Sequence, residues 1–328
     1  MNKKRILLMA AVSAVVLLSS ASNSARAGTT RHYYVQAEDV SWNYAPSGQD
    51  LVHGGAIHEP YETVWNKVRY IEYTNESFTT RKPQPPWLGV LGPIIRAEVG
   101  DTLMVHFRNR SNSGSFGMHP HGVRYDKENE GAHYLPTHSA SAEVPPGGSF
   151  TYRWVADEDS GPGPDDPSSL VWWYHSHITE RQETNLGLLG PIIITRRGKA
   201  KADATPVDVD REFVVAFFIF NEDKGEERGL MHSMNGYIYG NLRGLEMRNG
   251  EKVRWYLLGM GNEIDLHTAH FHGKTVLYKN RRTDVIELLP ASMATLDMTA
   301  DNPGTWMFHC HVSDHLTAGM MTTYTIKR

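Results

Sequence analysis

One arrangement appears twice in this chain, and that duplication limits the fold more than any other feature. The segment that starts at Glu98 reaches His119-Pro120-His121-Gly122 about twenty residues on, and the one that starts at Met247 reaches His270-Phe271-His272-Gly273 after a similar gap. Each half then passes a proline turn, Pro145-Pro146 or Pro290, a strand, and a second H-x-H pair, His175-Ser176-His177 or His309-Cys310-His311. An extra loop, Gly161 to Pro167, precedes the second pair of the first half. Short β-prone runs such as Thr102 to Phe107, Phe150 to Trp154, Phe213 to Ile219 and Thr322 to Ile326 are separated by Gly, Pro, Asn and Asp turns, and no long 3.6-residue period appears. The expectation is all-β: two duplicated sandwich or barrel domains, residues 28–197 and 211–328, joined by a polar, alanine-rich linker at 198–210.

The chain begins Met1-Asn2-Lys3-Lys4-Arg5, runs apolar to about Leu18 and reaches Ala25-Arg26-Ala27, the form of a signal peptidase site. Residues 1–27 therefore read as a signal peptide, and the protein as periplasmic or secreted, with no membrane span once the signal is removed. Removing Lys3, Lys4, Arg5 and Arg26 takes the 33 basic residues to 29 against 37 acidic ones, a net charge of −8 that excludes nucleic acid as a partner. An exported chain with one cysteine has no internal disulfide, and its thiol needs an occupant.

That cysteine, Cys310, lies inside an H-x-H pair and is followed by His315 and Met320. A thiolate, imidazoles and a weak thioether make the ligand set of a blue-copper electron carrier. Side chains alternate faces along a strand, so Cys310 points away from His309 and His311, as His267 points away from His270 and His272. One side then gathers His267, Cys310, His315 and Met320, and the other the eight paired histidines. Superposing the halves puts Phe116, Ser176, Arg181 and Leu186 opposite those four, so the first half keeps its histidine pairs and lacks the cysteine site. Of His32, His53, His58, His106, His133, His138 and His232, most read as solvated or loop residues and His106, alternating with Val105 and Phe107, as part of a strand's polar face; the scattered methionines read as core filler.

Together H-x-H-G, H-x-H, H-x-x-H-x-H-G and H-C-H-x-x-x-H-x-x-x-G-M resemble the four copper motifs of the multicopper oxidases, and the length with one complete blue site resembles their two-domain, small-laccase type. Trp87 to Asp101 and Asn129 to Tyr134 add ceruloplasmin-like features. The resemblance implies tandem cupredoxin-like Greek-key domains and four copper ions per functional unit. It implies type 1 copper on His267, Cys310, His315 and Met320, and type 2 copper on His119 and His270. The type 3 pair then falls to His121, His175, His177, His272, His309 and His311. It also implies a homotrimer with the three-copper cluster between subunits.

The expected reaction is laccase-like: one-electron oxidation of phenolic or aromatic donors coupled to four-electron reduction of dioxygen to water. Electrons would travel through Cys310 to His309 and His311, with Tyr125, Glu130 and Asp284 as positional candidates for proton delivery. Oxidation of Fe²⁺ or Cu⁺ is the alternative. A copper nitrite reductase fits less well, since that family carries its blue site in the first domain, and a non-catalytic copper store less well again, since these ligands sit in strands rather than in flexible tracts.

Overall fold

The computed structural model describes residues 28–328 apart from 58, 61, 136–139 and 224–228. Residues 1–27, which the sequence marks as an expected signal peptide, and His58 and His138 lie outside the described residues.

Two β-sandwiches follow one another. In the first half β1 (Thr30–Asn43), β2 (Val64–Tyr73), β3 (Ile95–Glu98), β4 (Thr102–Asn109), β5 (His119–Pro120), β6 (Ser149–Val155), β7 (Ser169–His175) and β8 (Leu189–Thr195) make two sheets, ordered β2-β1-β4-β6 and β3-β8-β7-β5. The second half begins with β9 (Arg211–Asn221), β10 (Leu230–Met234), β11 (Glu246–Arg248), β12 (Lys252–Gly259) and β13 (His267–Phe271). It continues with β14 (Val276–Tyr278), β15 (Arg281–Thr283), β16 (Val285–Leu288), β17 (Met293–Thr299), β18 (Gly304–Cys310) and β19 (Met321–Lys327). Its sheets run β10-β9-β12-β17-β14-β15 and β11-β19-β18-β13-β16.

The duplication read from the sequence is the duplication of the sheets. Order β2-β1-β4-β6 recurs as β10-β9-β12-β17, with β1 parallel to β4 and β9 parallel to β12. Order β3-β8-β7-β5 recurs as β11-β19-β18-β13. His119 pairs in register with His175, and His270 with His309.

Burial explains two different strand patterns. β6 alternates because one face meets solvent, whereas β9 is apolar almost throughout because both faces are covered. Phe213, Val215, Phe217 and Ile219 enter the second sandwich's own core, while Val214, Ala216, Phe218 and Phe220 enter a third core shared with Val171, Trp173, Leu189 and Ile193 of the first half. The outer face of the first half's histidine sheet thus lies against the second half. Trp173 is fully buried there, and its ring donates to the Gly259 carbonyl at 3.2 Å. The 198–210 segment folds onto both halves: Thr195 donates to the Ala204 carbonyl, and Asp208 takes bonds from Ser168 and Arg254. Among the described residues, no helix is long and apolar enough to cross a membrane.

Candidate metal centre

Strand register builds the first cluster. Ala269 stands opposite Cys310 in the β13–β18 pair, and both face the second sandwich's core. A short helix, α1 (Ser313–Thr317), then turns the chain back so that His315 meets the cysteine. The Cys310 Sγ lies 3.6 Å from His315 Nδ1 and 3.9 Å from His267 Nδ1, and the two Nδ1 atoms are 3.2 Å apart. His267, Cys310 and His315 are 2, 0 and 7 % exposed, and Met320 is fully buried, its carbonyl accepting from the Cys310 N–H. Asp265, itself buried, holds His267 Nε2 at 3.3 Å and so keeps Nδ1 turned to the sulfur.

The paired histidines gather on the opposite face, as period-two alternation requires. His270, His272 and His309 bring ring nitrogens within 4.8 Å of one another, with His272 Nε2 3.0 Å from His309 Nε2. The His311 ring lies 5.4 Å from that of His270. The first half repeats the arrangement: His121 Nε2 is 3.0 Å from His175 Nε2, and the His119 and His177 rings are 4.9 Å apart. In each half two imidazoles donate Nδ1–H to a backbone carbonyl. His119 donates to Glu130 and His175 to Ser176, and in the second half His270 donates to Asp284 and His309 to Cys310. That leaves each Nε2 lone pair free for a cation.

Strands end inside these pairs rather than running through them. Gly122 and Gly273 follow with φ of 70° and 69°, and an added Cβ would meet the rings of Trp172 and Trp306. Only glycine permits the turn at that close approach. Burial depresses the imidazoles: His121, His309 and His315 to about 4 and His175 to about 3. It also pushes the Cys310 thiol up. The sites therefore offer neutral nitrogens, and a cation has to displace the thiol proton.

Sequence models of the multicopper oxidase family match residues 88–199 and 218–328, the stretches that carry both histidine sheets. The chain belongs to the multicopper oxidase family. It is 38 % identical over 339 residues to mouse Ferroxidase HEPHL1, covering 90 % of this chain and 29 % of the relative. Human hephaestin is 35 % identical over 92 % of this chain and 30 % of its own length, and human ceruloplasmin 36 % over 92 % and 33 %. The chain thus spans about a third of the length of these relatives. Among solved structures, one described as the crystal structure of a multicopper oxidase superposes with TM-score 0.66 at 21 % identity, covering 92 % of this chain and 90 % of its own. The blue copper oxidase from Nitrosomonas europaea gives 0.63 at 19 % identity, over 90 % and 86 %. These two establish the fold, cupredoxin-like sandwiches.

Copper is the metal of a multicopper oxidase, and the donor chemistry fits it: a buried thiolate between two imidazoles beside a methionine, and clustered neutral imidazoles. The first half lacks the cysteine pocket. Ser176 holds the place of Cys310 and accepts from the Gly117 N–H, and Phe116, 3 % exposed, fills the place of His267.

The three acid–base candidates have different surroundings. Tyr125 packs edge-on to His119 with ring centroids 5.9 Å apart. Glu130 serves His119 through its backbone carbonyl, while its carboxylate pairs with Lys127 and takes a bond from Tyr134. Asp284 offers its carbonyl to His270 at 3.1 Å, with its carboxylate 3.9 Å away.

Three residues escaped the sequence reading. Asp265 was legible in principle, two residues before His267 and just ahead of its strand. Glu180, whose carboxylate lies 3.9 Å from His175 and 3.7 Å from His177, sits three residues past a pair, where a turn brings it back. His232, expected among the solvated or loop histidines, stands on β10 with its ring 5.1 Å from that of His315 and a buried Nδ1 that has no partner. No spacing signals it, because its strand reaches the site only through sheet packing.

Proposed function

We propose that this chain is the repeating unit of a copper oxidase that takes single electrons at the Cys310 pocket and delivers them to dioxygen at the paired histidines. One observation carries this: a single strand end puts Cys310 into the interior cluster and His309 and His311 onto the outer one. We assign type 1 copper to His267, Cys310, His315 and Met320, type 2 copper to His119 and His270, and the type 3 pair to His121, His175, His177, His272, His309 and His311. Copper supplies reversible one-electron storage, and four ions match the four electrons that turn dioxygen into two waters. Within the chain, the Cys310 side chain and the adjoining peptide units give a covalent path to His309 and His311, on the order of 10 Å long. Backbone carbonyls at Glu130, Asp284, Ser176 and Cys310 hold the imidazoles in one tautomer, and Tyr125 and Asp284 stand where protons enter.

For the donor we favour a reduced metal ion. The matched relative named a ferroxidase supports this, and so does His232, whose Nδ1 is buried without a partner against His315, the chain neighbour of exposed Asp314. Laccase-like oxidation of phenols is the second reading, supported by the exposed apolar side chains Ile264, Leu266 and Leu289 around β13 and β16. Kinetics on copper-loaded protein with Fe²⁺, Cu⁺ and a phenol decide between them. His232→Ala should lower kcat/KM for the metal ions about tenfold and leave the phenol unchanged; a loss confined to the phenol would reverse the assignment.

We further propose a homotrimer, six sandwiches in a ring, with the three-copper cluster between subunits. Among the described residues the histidine ring contacts run within each half. The first half's histidine sheet turns its outer face to the second half's other sheet, so the two sets do not face each other within one chain. Export to the periplasm or beyond completes the reading, on the strength of residues 1–27.

A further inference from the structure

At the junction of the halves lies a cleft of about 430 Å³ in which no assigned copper ligand takes part. Three cations line it. Arg81 pairs with Glu38 and Lys82 with Glu72, so both are neutralised. Arg69 differs. Its Nε donates to the Val90 carbonyl at 2.8 Å and its Nη2 to the Gly89 and Leu91 carbonyls at 2.7 and 3.1 Å, while Nη1 has no partner and no carboxylate forms an ion pair with it. Neutral carbonyls orient a guanidinium without cancelling its charge, and burial pushes this one down to about 10. The fork faces the same space as two partly buried aromatic rings: Trp42, 5.0 Å beneath the guanidinium, and Tyr237, 5.0 Å from Trp42. Pro83, Pro85, Pro86 and Pro93 add flat apolar walls.

We propose that this cleft binds a small aromatic carboxylate, with the anion on Nη1 of Arg69 and the ring against Trp42 and Tyr237. The carbonyls of Gly89, Val90 and Leu91 repel an anion from one edge of the guanidinium and leave Nη1 as the approach. Nη1 keeps two charged N–H donors for a carboxylate oxygen, and aromatic walls select a planar body. Because Tyr237 belongs to the second half and Trp42 donates to the Gly236 carbonyl at 2.7 Å, the ligand would bridge both halves.

The test is a titration of the copper-loaded chain with 2-naphthoate and with its neutral counterpart 2-naphthamide, neither of them a phenol. Binding should be at least about tenfold tighter for the carboxylate, and Arg69→Gln should remove that preference while the blue absorption stays unchanged. Ile94→Trp, which keeps every charge and fills the cleft, should abolish binding of both and serves if the arginine variant does not fold. Equal binding of the two compounds, undiminished naphthoate affinity in either variant, or no saturable naphthoate binding would each overturn the proposal.

Discussion

The two halves share a fold, a strand register and a way of holding imidazoles, yet only one of them carries a cysteine pocket. His119 faces His175 as His270 faces His309, and each pair rests on backbone carbonyls at equivalent places. On the other face of the same strands the halves diverge. Phe116 and Ser176 pack where His267 and Cys310 cluster. Period-two alternation makes this separable: one face of a strand can change from ligand to filler without disturbing the other. In our reading both outer faces are retained because the oxygen cluster needs imidazoles from two domains, whereas electron entry needs one interior pocket per unit.

Three experiments bear on that contrast. The largest effect is expected from Cys310→Ser. It removes the interior ligand and leaves both outer faces intact, so the intense thiolate-to-copper band should vanish and turnover should fall by roughly 1,000-fold or more. A variant that kept its oxidase rate would detach the interior pocket from the outer histidines.

Next comes the graft of the second half's chemistry onto the first, Phe116→His with Ser176→Cys. Position 181 would still be Arg and 186 Leu, so no second blue band should form. The loss of a buried aromatic should cost about 3 kcal/mol, read as a lowered denaturation midpoint. A second band in the visible spectrum would show the first half to be a dormant copper site rather than a repacked one.

The smallest effect is in pH. Unfolded imidazoles titrate near 6.5, whereas the folded protein holds His121 at about 4 and His175 at about 3 through burial. Between those values the unfolded chain binds more protons. Stability of the copper-free protein is therefore complete above pH 6.5 and declines as pH falls toward 4. His175→Gln should flatten that decline more than His272→Gln, because His175 is buried and His272 is exposed. Equal slopes in the two variants would mean that burial of the imidazole does not set the decline.

Much of the site was legible from the chain. Cys310 is the sole cysteine, its offset from His315 and Met320 is local, and strand parity sorts His267 and Cys310 from the histidine pairs before any coordinates exist. His232 and Asp265 show where such reading stops. Asp265 lies beside a ligand, but only the fold reveals that it is buried and bonded to the Ile219 and Asn262 amides, and so fixed in position. His232 comes from β10, in the other sheet of the sandwich from β18, which leads into the helix it meets. Glu130 carries a third lesson: its carboxylate was the expected feature, and its backbone carbonyl is what touches the site.

Sequence alone determined the duplication, the candidate ligand residues and the face each occupies, because these follow from residue chemistry and a two-residue period along one strand. Tertiary structure decided which faces meet. The first half's histidine sheet lies on the second half's opposite sheet, and Arg69 is left without a carboxylate at the seam. Periodicity fixes where a side chain points relative to its own backbone; what it points at depends on how separate sheets pack.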